Sequence, residues 1–170
     1  MIIIINGAAT SGKDEVVSIA SKLYSILDVF NLSTIDTVKK ACSQYFGFNP
    51  NVKDEKSRKF LSDVKDAWTE FNDGPFNNIV AYIKRLDIHF NKYIVFVHCR
   101  EPDEIQKFKD YYGDKCVTLL IKRPDITIPH NHADQNVNMY KYDHYINNHG
   151  SINDLQEKVK EFINIILQKE

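Results

Sequence analysis

Four consecutive isoleucines, Ile2 to Ile5, run without a break into Asn6 and then Gly7-Ala8-Ala9-Thr10-Ser11-Gly12-Lys13-Asp14. Such a run is apolar on both faces. That suits a strand buried inside a parallel sheet and not the alternating pattern of a half-exposed strand. Downstream, Val16, Ile19, Ala20, Leu23 and Leu27 keep helical spacing. The predicted unit is a strand, a glycine-flanked loop and a helix. Backbone N–H groups of such a loop point at phosphate oxygens, and the positive end of the following helix adds to them. Gly7 and Gly12 lack a Cβ, so the backbone can bend tightly and come close to a phosphate. Lys13 can reach the β- and γ-phosphates of a nucleotide as a point charge. The candidate nucleotide-binding set is therefore Gly7, Ala8, Ala9, Thr10, Ser11, Gly12, Lys13 and Asp14.

The residue after the lysine is usually Ser or Thr, whose hydroxyl ligates Mg²⁺. Here it is Asp14. A carboxylate is also a hard oxygen ligand, so Asp14 is a candidate metal residue, directly or through water. The alternative is an acidic first-turn residue that only complements the helix dipole.

The rest of the chain alternates. Leu32–Asp36 reads as a second strand, and 37–46 as a helix ending before Gly47 and Pro50. A polar segment at about 54–72 carries Phe60, Leu61, Val64, Trp68 and Phe71 on one helical face, and Gly74-Pro75 breaks it. Pro75 suits the first turn of the next helix, striped by Phe76, Ile79, Val80, Ile83 and Phe90. Tyr93–Val97 is a third strand, 102–112 a helix and Cys116–Ile121 a fourth strand. Residues 123–143 are loop-like, His144–Asn147 is a short fifth strand, and Ile152, Leu155, Val159, Phe162, Ile163 and Ile166 mark a final helix. Strands alternating with helices imply a three-layer α/β sandwich, a five-stranded parallel sheet with helices on both faces. Its 170 residues suit one domain. Ligands of open α/β sheets sit beyond the carboxyl ends of the strands. The loop at residue 7, a helical insertion at about 37–90 and a lid-like segment at about 123–143 all emerge there.

Charge narrows the partners. With 22 basic and 23 acidic residues the net charge is −1, which gives no footprint for a nucleic acid. No apolar stretch is long enough to span a membrane. Three cysteines, Cys42, Cys99 and Cys116, show no C-x-x-C spacing and read as free thiols. A cytoplasmic protein acting on small molecules is the expectation.

Separate segments share a further likeness. Ser11-Gly12-Lys13-Asp14, the stretch Val97-His98-Cys99-Arg100-Glu101 with Asp103-Glu104-Ile105 after it, and Tyr142-Asp143-His144-Tyr145-Ile146-Asn147-Asn148-His149-Gly150 with Leu155 after it together resemble the P-loop nucleoside-monophosphate-kinase-like family. The likeness is to the branch holding phage-type deoxynucleoside monophosphate kinases and animal-type phosphomevalonate kinase. It implies ATP with Mg²⁺ as cofactors and phosphoryl transfer to a small phosphorylated acceptor, a (deoxy)nucleoside monophosphate first and phosphomevalonate second. A nucleotide-binding module with little catalysis is the alternative from another class. The chain departs from the branch in two places. His98 stands where an aspartate would help hold Mg²⁺ through water, and the lid segment carries a single arginine, Arg123.

Arg100 follows a buried strand at the ligand end of the sheet. It is read as a bidentate phosphate or carboxylate contact, with an ion pair to Glu101 or Asp103 as the alternative. The resemblance gives Arg123 a role in neutralising the moving phosphoryl group and gives Arg58 a grip on the acceptor phosphate. Asp36, at the expected end of the second strand, and Lys39 complete the substrate-binding candidates. Lys13, Arg100 and Arg123 are the catalytic candidates. Trp68 and Phe71 read as packing residues. His130 and His132 have metal-ligand character but no further ligands at convincing spacing.

Overall fold

The structure is a computed structural model and describes residues 1–24, 27–52, 54–89, 92–124 and 136–168. Its elements are β1 (Ile2–Asn6), α1 (Lys13–Leu23), β2 (Asp28–Ser33), α2 (Thr34–Phe46), α3 (Glu55–Asn72), α4 (Gly74–His89), β3 (Tyr93–His98), α5 (Pro102–Tyr112), β4 (Cys116–Lys122), β5 (His144–Asn147) and α6 (Ile152–Leu167). The strands form one five-stranded sheet in the order β2-β3-β1-β4-β5. β1 runs parallel to both β3 and β4, and β4 runs parallel to β5. This is the expected α/β sandwich.

β1 shows why an unbroken isoleucine run was needed. All five of its residues are buried. Ile3 and Ile5 join a core made with Val16, Ile19 and Ala20 of α1 and Leu155, Val159, Ile163 and Ile166 of α6. Ile2 and Ile4 are equally buried and lie outside that cluster, as period-two side-chain geometry requires. α5 packs on β4 and buries Ile105 and Phe108 completely.

Contacts divide the chain into two compact units, residues 1–31 with 92–170, and residues 32–91. In the second, α2, α3 and α4 pack against one another. Phe60 of α3 meets the rings of Phe46 and Phe48 at centroid distances of 5.8 and 6.1 Å. Gly74 lies so close to the Trp68 indole that a Cβ there would fall on the ring.

Three expectations need correction. β2 is Asp28–Ser33, not 32–36, because Ser33 caps a helix: its side chain accepts from the Ile35 N–H. Asp36 therefore sits in the first turn of α2 and ends no strand. α1 stops at Leu23 and does not reach Leu27. Phe71, expected to pack, is 81% exposed. Among the described residues, no helix is long and apolar enough to cross a membrane, and Cys42, Cys99 and Cys116 are buried thiols outside any disulfide.

Candidate phosphate-binding site

The loop between β1 and α1 is shaped by left-handed backbone. Gly7, Thr10 and Gly12 have φ of 154°, 62° and 100°. Gly7 is also confined: a Cβ there would come within 2.6 Å of the Ile121 carbonyl oxygen and of Ser11 Oγ. Gly12 caps α1 and accepts from the Val16 N–H at 3.0 Å. Lys13 folds back across the loop, its Nζ donating to the carbonyl oxygens of Gly7 at 2.6 Å and Ala8 at 2.8 Å. Ser11 is 1% exposed, and its Oγ is a buried hydroxyl with no hydrogen-bond partner among the described residues. Buried polar atoms are rarely left so.

Two amides outside the loop hold it. Asn6 is fully buried. Its Oδ1 accepts from the Gly7 N–H at 2.7 Å, while its Nδ2 donates to the Arg100 carbonyl at 3.2 Å and to Tyr142 Oη at 2.7 Å. Tyr142 Oη in turn donates to the Val137 carbonyl oxygen at 3.1 Å. Burial pushes the Tyr142 phenol up to about 12, against the opposing hydrogen bond from Asn6. From the far end of the sheet, Asn148 Nδ2 donates to the Ser11 carbonyl at 2.8 Å.

Asn148 belongs to the last segment that carried the resemblance, in which Asp143, Ile146 and Gly150 also have physical tasks. Asp143 joins β5 to β4: its Oδ2 accepts from Thr118 N–H at 2.8 Å, Thr118 Oγ1 at 3.0 Å and Lys109 Nζ at 2.9 Å. Burial alone would raise the Asp143 carboxyl, but those bonds outweigh it and hold it below its ordinary value. Ile146 enters the core. Gly150 takes φ 94° and leads into Ser151, which caps α6 in a reciprocal box with Asp154.

A cleft of about 400 Å³ opens beside the loop, lined by Gly12, Glu15, Arg123, the 148–152 turn and Leu155. The structure thus brings Arg123 and the start of α1 around one cavity. Asp14 stands in the first turn of α1 with its side chain 94% exposed, and its Oδ1 lies 3.7 Å from His98 Nε2. Arg100 follows β3 and is partly buried. Asp36 and Lys39 form an exposed i, i+3 pair at 3.7 Å on α2. Arg58 is exposed on the first turn of α3, its N–H donating to the Asp54 carbonyl. These three belong to the 32–91 unit. His130 and His132 fall outside the described residues, as does the middle of the 123–143 segment.

No protein-family model matches the chain, and no curated protein matches it in sequence. Its fold is found among solved structures. A shikimate kinase from Aquifex aeolicus superposes with a TM-score of 0.55 at 11% identity, over 96% of each chain. A thymidylate kinase from Ehrlichia chaffeensis gives 0.48 at 12% identity, over 96% of this chain and 98% of that one. The Mycobacterium tuberculosis APS kinase gives 0.46 at 12% identity, over 96% of each. The likeness to the shikimate kinase, at 11% identity, shows the fold alone, an α/β sandwich around one five-stranded sheet.

Proposed function

We propose that this protein transfers a phosphoryl group from ATP to a small phosphorylated acceptor, with a (deoxy)nucleoside monophosphate as the first choice. The observation that carries the reading is the loop itself. It combines left-handed backbone at Gly7, Thr10 and Gly12, a buried Ser11 hydroxyl with no partner among the described residues, and a lysine ammonium held against two loop carbonyls. Donors arranged in this way suit phosphate oxygens.

The roles follow from charge. Lys13 would leave the Gly7 and Ala8 carbonyls and meet the terminal phosphates. Arg123, in the cleft beside Gly12, would bind donor or moving phosphoryl group. Arg100 would contact phosphate at the end of β3. Asp36, Lys39 and Arg58 are the proposed acceptor residues of the 32–91 unit. A divalent cation, taken as Mg²⁺ by default, neutralises β- and γ-oxygens in reactions of this class. The exposed Asp14 carboxylate suits that cation. An acceptor phosphate oxygen is already an anionic nucleophile, so no general base is required.

One observation favours a second reading. His98, and not a carboxylate, faces Asp14, which fits a nucleotide-binding module with little turnover. Purified protein with ATP and a panel of nucleoside monophosphates and phosphomevalonate separates the two, alongside equilibrium ADP binding. Turnover with one acceptor class, and a raised acceptor KM in Arg58→Lys and Arg100→Lys, supports the kinase. Nucleotide binding without turnover on the panel leaves the module. Absence of both removes the nucleotide reading altogether.

A further inference from the structure

α3, at 18 residues the longest helix among those described, buries none of them. Its neighbour α4, at 16 residues, buries Phe76, Ile79, Val80, Ile83 and Leu86. The difference does not come from a lack of apolar residues. Phe60, Val64, Ala67 and Phe71 recur at helical spacing along α3, which sets them in one row. Phe60 and Val64 are half-buried, Ala67 is exposed, and Phe71 is 81% exposed. Phe46, whose ring meets Phe60 at 5.8 Å, is itself 67% exposed. Two phenylalanines left this open along one row are more than scattered surface apolar residues.

Charge says what covers the row. On one flank of it run Lys56, Lys59, Asp63, Asp66 and Glu70, again at helical spacing. The bases come first and the acids last. The macrodipole favours the opposite order, and no basic residue stands in the last turn. The order therefore runs against the helix's own preference. It is self-complementary: turned end for end, the same flank presents acids to bases. Charges beside an apolar seam set the orientation of paired helices. A two-fold axis near Asp63 and Val64 brings Glu70 of a second copy to Lys56. It sets Phe60 against the stretch from Val64 to Ala67, where the small Ala67 leaves room. It also carries Phe71 to the end of the helix where Phe46 stands beside Phe60. Asp63 meets its own copy at that axis, and Lys59, 2.8 Å away within the chain, neutralises it.

We propose that two copies of this chain pair through α3, antiparallel about a two-fold axis, covering Phe60, Val64, Ala67 and Phe71 and setting Lys56 against Glu70. Such an interface uses the same patch on both copies and closes at two. Arg58 falls on the far side of α3 from the row, so it stays outside the seam, and the pairing stands apart from the kinase reading.

The test is sedimentation equilibrium of the whole protein from about 1 µM to about 1 mM, the span of weak self-association. Circular dichroism checks that each variant is folded. The expected result is a monomer–dimer equilibrium with no larger species. Phe71→Ser should weaken it by about thirtyfold or more, the scale of a buried aromatic anchor. Lys56→Glu and Glu70→Lys should each weaken it by about tenfold, because two symmetry-related pairs turn from attraction to repulsion. The variant carrying both changes should regain the wild-type value, since it exchanges the partners and keeps the pair. A dimer indifferent to Phe71→Ser and to both charge reversals overturns the proposal. Weakening in both single reversals without recovery in the double overturns the antiparallel pairing. A chain that stays monomeric at every concentration overturns the whole inference and leaves the face to a different partner.

Discussion

Asn148 Nδ2 donates to the Ser11 carbonyl oxygen across 2.8 Å, joining positions 137 residues apart. The same amide occupies the space a Cβ on Gly12 would need. Asn148→Ala should leave the sheet intact and loosen the loop. One lost hydrogen bond of this kind is worth about 1 kcal/mol, so ADP affinity should fall several-fold. Gly12→Ala should be worse, because φ of 100° strains any side chain. Its defect should be only partly relieved when combined with Asn148→Ala. Calorimetry on the single and double variants checks both; full additivity would show that the contact is inert.

Lys13 is expected to matter for chemistry more than for folding. Lys13→Ala removes a charge aimed at the terminal phosphates, a loss on the order of a hundredfold in rate. It also takes the lysine donor away from the Gly7 and Ala8 carbonyls. Melting should change little. Wild-type turnover in this variant would remove the lysine from the mechanism.

Tyr142→Phe tests the buried junction. The hydroxyl accepts from Asn6 and donates to Val137. Its removal should cost about 1–2 kcal/mol of stability by leaving a buried group unsatisfied, read as a lower denaturant midpoint. Because burial raises the phenol to about 12, the difference from wild type should stay flat between about pH 6 and pH 9.

Asp143 gives an acid-side signature. Its folded-state carboxyl lies below the unfolded value. The stability it contributes is therefore present above the unfolded value of about 3.9 and disappears as pH falls through the folded one. Wild type should exceed Asp143→Asn in stability near neutrality, and the gap should close below about pH 4. A gap independent of pH would show that the charge contributes nothing.

Much of the architecture was legible in the sequence because it rests on local periodicity. An apolar run names β1, and helical spacing names α6. What failed was punctuation. Ser33 was read inside a strand, although a serine with an acid three residues on is a helix-start signal. Phe71 was read as packing because spacing cannot tell whether a face meets a partner. The loop was legible from Gly7 to Asp14, but its supports were not. Asn6 gave a faint signal, a single amide closing a run of isoleucines. Asn148 gave letters without a task, since its partner is fixed only once β5 has joined β4.

The bond from Asn148 to Ser11 also bears on how the chain must be completed. Synthesis reaches Ser11 of the loop 137 residues before it adds Asn148, the amide that steadies it. A chain cut after residue 14 but before residue 148 keeps the whole motif and lacks the group that holds its shape.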